Sequence, residues 1–248
     1  MSFWEHLAEL RGRIIKSLLG VLAGCALAWN MADSLLGYLL RPVLKELPPG
    51  QALIFTGLED AFLLMFKTSL WAGFLLASPW WLWQAWAFTA PALTRTEKRA
   101  VLPLTFLATL LLIGGAAFAY FLAFPLTFKF FLAFSSEALQ PLPAADRYLS
   151  LAMGLILAFA LAFQLPLVLM FLNRLGLVEA DYLRRQRRYA IIIFFIVGAA
   201  LTPPDVASQV ILALVLMALY ELSILLTSRR FFGLMIPERP PGAAGDGT

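Results

Sequence analysis

Residues 100–124 read AVLPLTFLATLLLIGGAAFAYFLAF, an apolar stretch that contains no charged side chain. A helix needs about 20 such residues to cross a hydrocarbon core about 30 Å thick, so this stretch predicts a transmembrane helix. The whole chain has the same character, because 61% of its 248 residues are hydrophobic and only 14% are charged. A typical soluble domain carries about 25% charged residues. This composition excludes a soluble globular protein, a disordered chain and a nucleic-acid-binding protein.

Five further apolar stretches lie on either side of this segment, separated by short connections. They cover residues 14–31, 68–88, 148–172, 189–201 and 206–226. We therefore predict an all-α, polytopic integral membrane protein with six transmembrane helices in one domain, residues 1–232. The Pro- and Gly-rich residues 233–248 predict a disordered tail. The fifth stretch covers only roughly 20 Å as a helix, so spans five and six are predicted to be short. Either the bilayer thins there or the two form a shallow hairpin.

The basic residues are distributed unevenly between the two sets of connections. One set holds 14 of the 19 Lys and Arg residues: Arg11, Arg13, Lys16, Arg95, Lys98, Arg99, Arg174, Arg184, Arg185, Arg187, Arg188, Arg229, Arg230 and Arg239. The other set holds the remaining five: Arg41, Lys45, Lys67, Lys129 and Arg147. Because cytoplasmic loops of membrane proteins carry the excess of Lys and Arg, both termini are predicted to lie in the cytoplasm.

The residues before the first span predict a surface-lying amphipathic helix over residues 2–13. Ser2 and Glu5 have the spacing of a capping box, and apolar residues recur at helical spacing behind them. The sequence LAGC at residues 22–25 also resembles a bacterial lipoprotein cleavage box. Lipidation of Cys25 is therefore an alternative to its simpler role as a small buried residue.

Several kinds of chemistry are excluded by the residues that the chain lacks. A single Cys permits no intramolecular disulfide, and a single His permits no His-based metal site or catalytic triad. The sequence contains no GK[ST] phosphate loop, no HExxH and no GxSxG. It therefore predicts no ATP-driven pump, no familiar intramembrane hydrolase, no metal and no cofactor.

Two of the carboxylates on the basic side of the predicted membrane protein are candidates for binding a cation. Glu9 lies on the N-terminal helix, and Glu97 lies in the connection between spans two and three. A carboxylate at the interface can accept paired hydrogen bonds from a guanidinium group. The alternative is a local ion pair, Glu9 with Arg13 at i,i+4 and Glu97 with its basic neighbours, and residue physics alone favours it.

Two further polar residues lie inside or between the apolar stretches. Gln164 lies inside span four, two residues before Pro166. Two roles are open for its amide. It can satisfy the backbone carbonyl that the proline frees, or it can make a polar contact with another helix. Asp205 follows Thr202, Pro203 and Pro204 at the tip between spans five and six, where it is expected to cap the sixth helix.

A dense group of tryptophans lies at one end of span two. Its members are Trp80, Trp81, Trp83 and Trp86, followed by Phe88. An aromatic belt at the membrane interface explains such a group. Four tryptophans within seven residues cannot all face lipid on one helix, so some are candidates for lining a groove that accepts an apolar peptide.

Seven short motifs, in order along about residues 3–230, make the chain resemble one family. They are HLAELRGR at 6–13, RP at 41–42, WAFTAPAL at 86–93, EKR at 97–99, AYF at 119–121, FP at 124–125 and LTPPDVASQ at 201–209. The chain resembles the TatC family, the receptor subunits of the twin-arginine protein translocase. The resemblance implies six helices that form a concave cup in the inner membrane, with both termini in the cytoplasm.

The resemblance also implies a function and a set of partners. Members of the family recognise the Arg-Arg pair in the signal peptide of a folded cargo protein. They work with the single-span proteins TatA and TatB, self-associate in a larger receptor complex, contact membrane lipids, and use the proton-motive force. They are not enzymes, and no nucleic acid is involved.

Site residues carry over from the family one position at a time. Glu9 and Glu97 would contact the signal arginines, and Arg11 and Phe88 match positions that signal binding needs. Two residues match functional positions in the outer loops, Pro42 in the first and Asp205 in the last.

One position departs from the family, which commonly has Glu where this chain has Gln164. Since Gln cannot ionise, the resemblance supports only a hydrogen-bonding contact there with a TatA or TatB helix.

Two other classes of function are alternatives. A small-solute secondary transporter would need ionisable residues at mid-membrane, whereas spans one to four offer only Gln164 at depth. A membrane enzyme acting on lipids would need a catalytic cluster, which His6 and two carboxylates do not provide.

Overall fold

The computed structural model describes residues 3–47, 53–55, 57–89, 101–134, 144–174, 176–202 and 205–227. The regular elements of this part of the chain are helical. The only β pairing in it is an isolated bridge between Ile54 and Ala144, beside which the Ala145 N–H donates to the Ile54 carbonyl at 3.0 Å. The all-α prediction is confirmed.

Eleven helices and one π-helical segment follow one another in the described residues. They are α1 Phe3–Trp29, α2 Ala32–Glu46, α3 Asp60–Leu76, α4 Ser78–Thr89, α5 Val101–Phe118, the π segment Ala119–Ala123, α6 Phe124–Leu132, α7 Ala145–Ala162, α8 Leu165–Arg174, α9 Ala180–Arg185, α10 Arg187–Leu201 and α11 Val206–Thr227.

The first helix is continuous from Phe3 to Trp29, so the residues predicted as an amphipathic helix run into the first span without a break. It packs closely on α3 through small residues. A Cβ on Gly73 would lie 2.4 Å from the backbone nitrogen of Cys25, and a Cβ on Gly24 would lie 2.6 Å from the Gly73 carbonyl oxygen. Such close backbone approach is typical of helix pairs in membranes.

The second apolar segment is a bent pair of helices. α3 begins at Asp60, eight residues before the predicted start of span two, and meets α4 at an angle of 52°. The bend follows from Pro79, which has no N–H to donate and disfavours helical geometry at the residue before it.

The third and fourth segments also contain irregular turns. α5, the π segment and α6 form one helical stretch over Val101–Leu132, and the π segment directly precedes Pro125. α7 and α8 are separated by Phe163 and Gln164, just before Pro166.

Four helical stretches in the described residues are long and apolar enough to cross a membrane, and the bent pair α3–α4 would make a fifth. α10 has 15 residues and is about 22 Å long, shorter than a hydrocarbon core of about 30 Å. The count of six spans and the placement of the termini therefore remain predictions.

The core is centred on α7, which packs against α5, α11 and the π segment. Its largest fully buried side chains include Phe159, Leu155 and Leu149. α5 crosses α7 at Gly115, where a Cβ would lie 2.5 Å from the Phe159 carbonyl oxygen. This close crossing fixes the position of α5 against α7.

Candidate functional site

Glu9 is held in an ion pair on the face of α1 that meets α4. Its Oε1 accepts hydrogen bonds from Arg13 Nε at 3.0 Å and from Arg13 Nη2 at 2.8 Å. Arg13 Nη1 in turn donates to Gln84 Oε1 at 3.2 Å, and Gln84 is buried. The i,i+4 ion pair expected from the sequence is confirmed, and Gln84 ties it to the neighbouring helix.

The second carboxylate oxygen of Glu9 has a different environment. Oε2 is inaccessible to solvent and accepts no hydrogen bond from the residues that the structure describes. A buried acceptor without a donor costs about 1–3 kcal/mol, more where it carries charge. Glu9 therefore retains a strong acceptor beside its ion pair. Glu97 lies outside the described residues.

Phe88 lies close to the Glu9 ion pair. Its ring stacks on that of His6 at a centroid distance of 4.5 Å, and His6 precedes Glu9 by three residues on α1. Residues three apart lie on the same face of a helix, so Phe88 and Glu9 are neighbours across the α1–α4 contact. Arg11 is exposed and, two residues after Glu9, points to a different face.

The tryptophans of α4 divide into two pairs. Trp80 and Trp83 are exposed and pack edge to face, and Trp80 Nε1 donates to the Lys16 carbonyl on α1 at 2.9 Å. Trp81 and Trp86 are half-buried, and Trp86 packs on Phe171 of α8 at a centroid distance of 5.1 Å. The second pair fills space between helices instead of lining an open groove.

Pro42 lies inside α2 and determines the hydrogen bonding around it. Because proline has no N–H, the Tyr38 carbonyl one turn earlier loses its helical donor. The Tyr120 hydroxyl donates to this carbonyl at 2.7 Å, and the Tyr148 hydroxyl donates to the Leu39 carbonyl at 3.0 Å. The carbonyl that Pro42 frees thus attaches α2 to the π segment, and the Leu39 carbonyl attaches α2 to α7.

Gln164 occupies the break between α7 and α8. Its Nε2 donates to the Ala108 carbonyl of α5 at 3.0 Å, and the residue is half-buried. The carbonyl that Pro166 frees is that of Ala162, so the amide bonds a neighbouring helix and not the proline-freed group. An amide can accept through its oxygen as well as donate, so Gln164 retains acceptor capacity.

Asp205 caps α11. Its Oδ1 accepts the Ser208 backbone N–H at 2.7 Å, and its Oδ2 accepts the Ser208 hydroxyl at 2.5 Å. The expected N-cap is confirmed.

Two residues of these sites are missing from the sequence predictions. Gln84 is 71 positions from Arg13, and Tyr120 is 82 positions from Tyr38. Gln84 could have been found as an amide among tryptophans, because a buried polar group needs a partner. Tyr120 could have been sought as the donor to the carbonyl that a proline inside a helix leaves without its backbone N–H.

The sequence matches a known protein family over most of its length. The model of the family described as Sec-independent protein translocase protein (TatC) covers residues 5–214. The chain belongs to the TatC family. This description names a component of a protein translocase. It names neither small-solute transport nor lipid catalysis, the two other functions considered.

Individual TatC proteins are similar over nearly the whole chain. The Desulforapulum autotrophicum protein is 44% identical over 93% of this chain and 85% of its own length. The Aquifex aeolicus protein is 40% identical over 91% of this chain and 94% of its own length, and the Escherichia coli K12 protein is 36% identical over 88% and 85%.

The fold agrees with solved structures of the family. A crystal structure of the twin-arginine translocase receptor TatC in DDM superposes with a TM-score of 0.81 at 39% identity, covering 90% of this chain and 99% of that one. A second TatC crystal structure gives a TM-score of 0.79 at 40% identity, with 90% and 97% covered. This TatC family member is therefore a multi-pass membrane protein of the Tat protein-transport pathway.

Proposed function

We propose that this TatC family member receives twin-arginine signal peptides and that Glu9 and Glu97 bind their two arginines. The observation that carries the proposal is the buried Oε2 of Glu9, an acceptor beside the Arg13 ion pair that no described donor satisfies. A signal arginine would reach this atom by displacing the side chains that cover it. A guanidinium group is the donor that best matches such a carboxylate, because it presents N–H groups in a planar fork.

A pair of carboxylates explains why the signal needs two arginines. At Glu97 an arginine can donate two parallel hydrogen bonds, and at Glu9, whose Oε1 already binds Arg13, it can donate to Oε2. Lysine is a compact point charge and cannot reproduce the paired geometry. Phe88, which neighbours Glu9, supplies an apolar surface for the residues around the pair. Arg11 is exposed on a different face of α1, at a position that family membership suggests signal binding needs.

The apolar part of the signal peptide needs a path along the helices. An apolar cavity of about 420 Å³ lies between α1, α3 and α5 and is lined by Leu27, Ala28, Leu75, Leu76 and Ile113 together with neighbouring side chains. This cavity, and not the half-buried tryptophans of α4, offers the protein-lined surface for that segment.

The partners and energy source are those that family membership suggests. We infer that TatA and TatB act with this protein in the inner membrane, that copies of it associate in a larger complex, and that the proton-motive force drives transport of folded cargo. Both termini would lie in the cytoplasm. Gln164 would contact a partner helix through its amide, while Pro42 and Asp205 would keep the outer segments in the shape that assembly needs.

The test compares an Arg-Arg signal peptide with its Lys-Lys counterpart on the purified full-length protein. We expect binding of the Arg-Arg peptide to be at least about tenfold tighter, since a lysine keeps the charge but loses at least one hydrogen bond of the guanidinium group, which costs about 1.4 kcal/mol or more. Glu97→Gln and Glu9→Gln should each weaken Arg-Arg binding. Glu179→Gln, an exposed carboxylate on the same predicted side, is the matched control and should bind normally.

Thermal unfolding of each variant separates loss of the site from loss of the fold. If a correctly folded protein binds both peptides equally, arginine recognition is wrong. If Glu9→Gln and Glu97→Gln bind like Glu179→Gln, the two carboxylates are not the site.

A further inference from the structure

A second pocket lies between α2 and the π segment, far along the chain from Glu9. It has a volume of about 290 Å³. On the α2 side it is lined by Tyr38, Arg41, Pro42 and Lys45, and on the other side by Tyr120, Phe121 and Pro125. We refer to these seven residues as the α2 pocket.

The α2 pocket is positively charged. Arg41 and Lys45 are four residues apart, so both side chains lie on one face of α2, and like charges at this spacing repel each other. The Arg41 guanidinium lies over the Tyr38 ring, 5.2 Å from its centroid, and both cations are exposed. Among the described residues, neither has a carboxylate within ion-pair distance.

Lys67 provides a contrast on the same predicted side of the membrane. It pairs with Asp146 at 2.5 Å, which compensates its charge within the protein. Basic residues are scarce on that side, and the two in the α2 pocket lack such compensation. An anion bound between Arg41 and Lys45 would offset their repulsion.

The depth of the α2 pocket matches the membrane interface. Tyr120 follows Val101 by 19 residues in one helical stretch, which is about 28 Å at 1.5 Å per residue. The hydrocarbon core is about 30 Å thick, and the basic connection at 95–99 precedes Val101, so the pocket lies near the opposite interface. Tyrosine rings such as Tyr38 and Tyr120, which stack at 4.9 Å, are typical of that level.

The surroundings of the α2 pocket favour a lipid over a free anion. Phe121 of the pocket and its chain neighbours Leu122 and Leu126 are exposed and offer an apolar surface on which acyl chains can lie. The pocket volume suits a headgroup but not a whole lipid. We infer that the α2 pocket binds the phosphate of an anionic glycerophospholipid in the leaflet opposite the basic connections, with Arg41 and Lys45 as the phosphate ligands.

The chemistry sets the expected selectivity. Arg41 can donate two hydrogen bonds to phosphate oxygens, and Lys45 adds a point charge. A zwitterionic headgroup carries an ammonium group that these cations repel. A basic residue near a lipid surface contributes about fivefold in affinity, so two should contribute roughly twenty-five-fold.

The experiment measures lipid retention by native mass spectrometry of the full chain in detergent. It compares phosphatidylglycerol with phosphatidylcholine of the same acyl chains. We expect the unmodified protein to retain one phosphatidylglycerol molecule at concentrations where phosphatidylcholine is lost. Arg41→Gln or Lys45→Gln should weaken retention about fivefold, and the double variant should abolish the preference. Arg147→Gln, an exposed cation on the same predicted side outside the pocket, should retain the lipid normally.

Three results would overturn the inference. The first is equal retention of phosphatidylglycerol by the double variant and the unmodified protein, and the second is loss of retention with Arg147→Gln to the same extent as with Arg41→Gln. The third is displacement of the lipid by millimolar sn-glycerol 3-phosphate, which would indicate a site for small soluble anions.

The variants change exposed side chains, and an unchanged melting temperature will verify that each is folded. Signal-peptide binding is a separate measurement, so failure here leaves arginine recognition untouched.

Discussion

Replacement of Tyr120 by Phe, alone and together with Pro42→Ala, tests the account of how α2 is attached. The Tyr120 hydroxyl is the donor for the Tyr38 carbonyl that Pro42 leaves without a helical partner. Tyr120→Phe removes this hydrogen bond and leaves the Tyr38 carbonyl without a donor. We expect the unfolding free energy to fall by about 1–1.5 kcal/mol. In the Pro42→Ala background the helix supplies its own N–H to that carbonyl, and the cost of Tyr120→Phe should fall to about 0.5 kcal/mol.

The difference between the two backgrounds is a coupling energy of about 0.5–1 kcal/mol, within the range that double-mutant cycles resolve. The assay is reversible unfolding in mixed micelles, with α-helical circular dichroism as the signal. Tyr182→Phe, which removes an exposed hydroxyl on α9, is the control and should change little. An equal cost of Tyr120→Phe in the unmodified protein and in the Pro42→Ala variant would refute the reasoning.

Three other substitutions give clear expectations. Gly73→Ala should lower the unfolding free energy by about 2 kcal/mol or more, because its Cβ would lie 2.4 Å from the backbone of α1. Gly114→Ala, whose Cβ would meet nothing within 4 Å, should not lower it in the same assay and should raise it by up to about 1 kcal/mol through the helix preference of Ala. Asp205→Ala should cost about 1 kcal/mol through loss of the α11 cap, and Asp205→Asn should recover most of it, again by unfolding. Gln164→Leu should weaken crosslinking to TatA or TatB helices and leave signal-peptide binding intact, and unchanged crosslinking to both would contradict its role as a partner contact.

Local rules predicted the parts of the fold that depend on neighbouring residues. The Glu9–Arg13 pair follows from i,i+4 spacing, and the Asp205 cap follows from the preference of Asp before a helix. The break near Gln164 follows from Pro166. In each case the interacting groups lie within one or two turns, so the sequence contains the whole interaction.

Two boundaries differ from the prediction, one because of a distant residue and one because of an irregular turn of the helix. The predicted second span starts at Thr68, whereas α3 begins at Asp60 and includes Lys67. A lysine is costly within an apolar helix, and Asp146 of α7 compensates its charge. The predicted third span ends before Pro125, yet the helical stretch continues to Leu132. The π segment before Pro125 changes the local hydrogen-bond pattern and lets the helix pass the proline.

The charge balance at Glu9 bears on how the two carboxylates share the proposed task. Arg13 already neutralises Glu9 through Oε1, so a signal arginine that reaches Oε2 meets a pair with no net charge and is repelled by Arg13 at short range. Glu9 can therefore orient a guanidinium through a hydrogen bond but supplies little net attraction. The attraction for two arginines must come from elsewhere, and Glu97 is the proposed source. Glu97→Gln should consequently weaken Arg-Arg binding more than Glu9→Gln does. The loss of affinity caused by Glu97→Gln should become smaller with added salt, whereas the loss caused by Glu9→Gln should not change. The reverse order in the same titration would mean that Arg13 leaves Glu9 when the peptide binds.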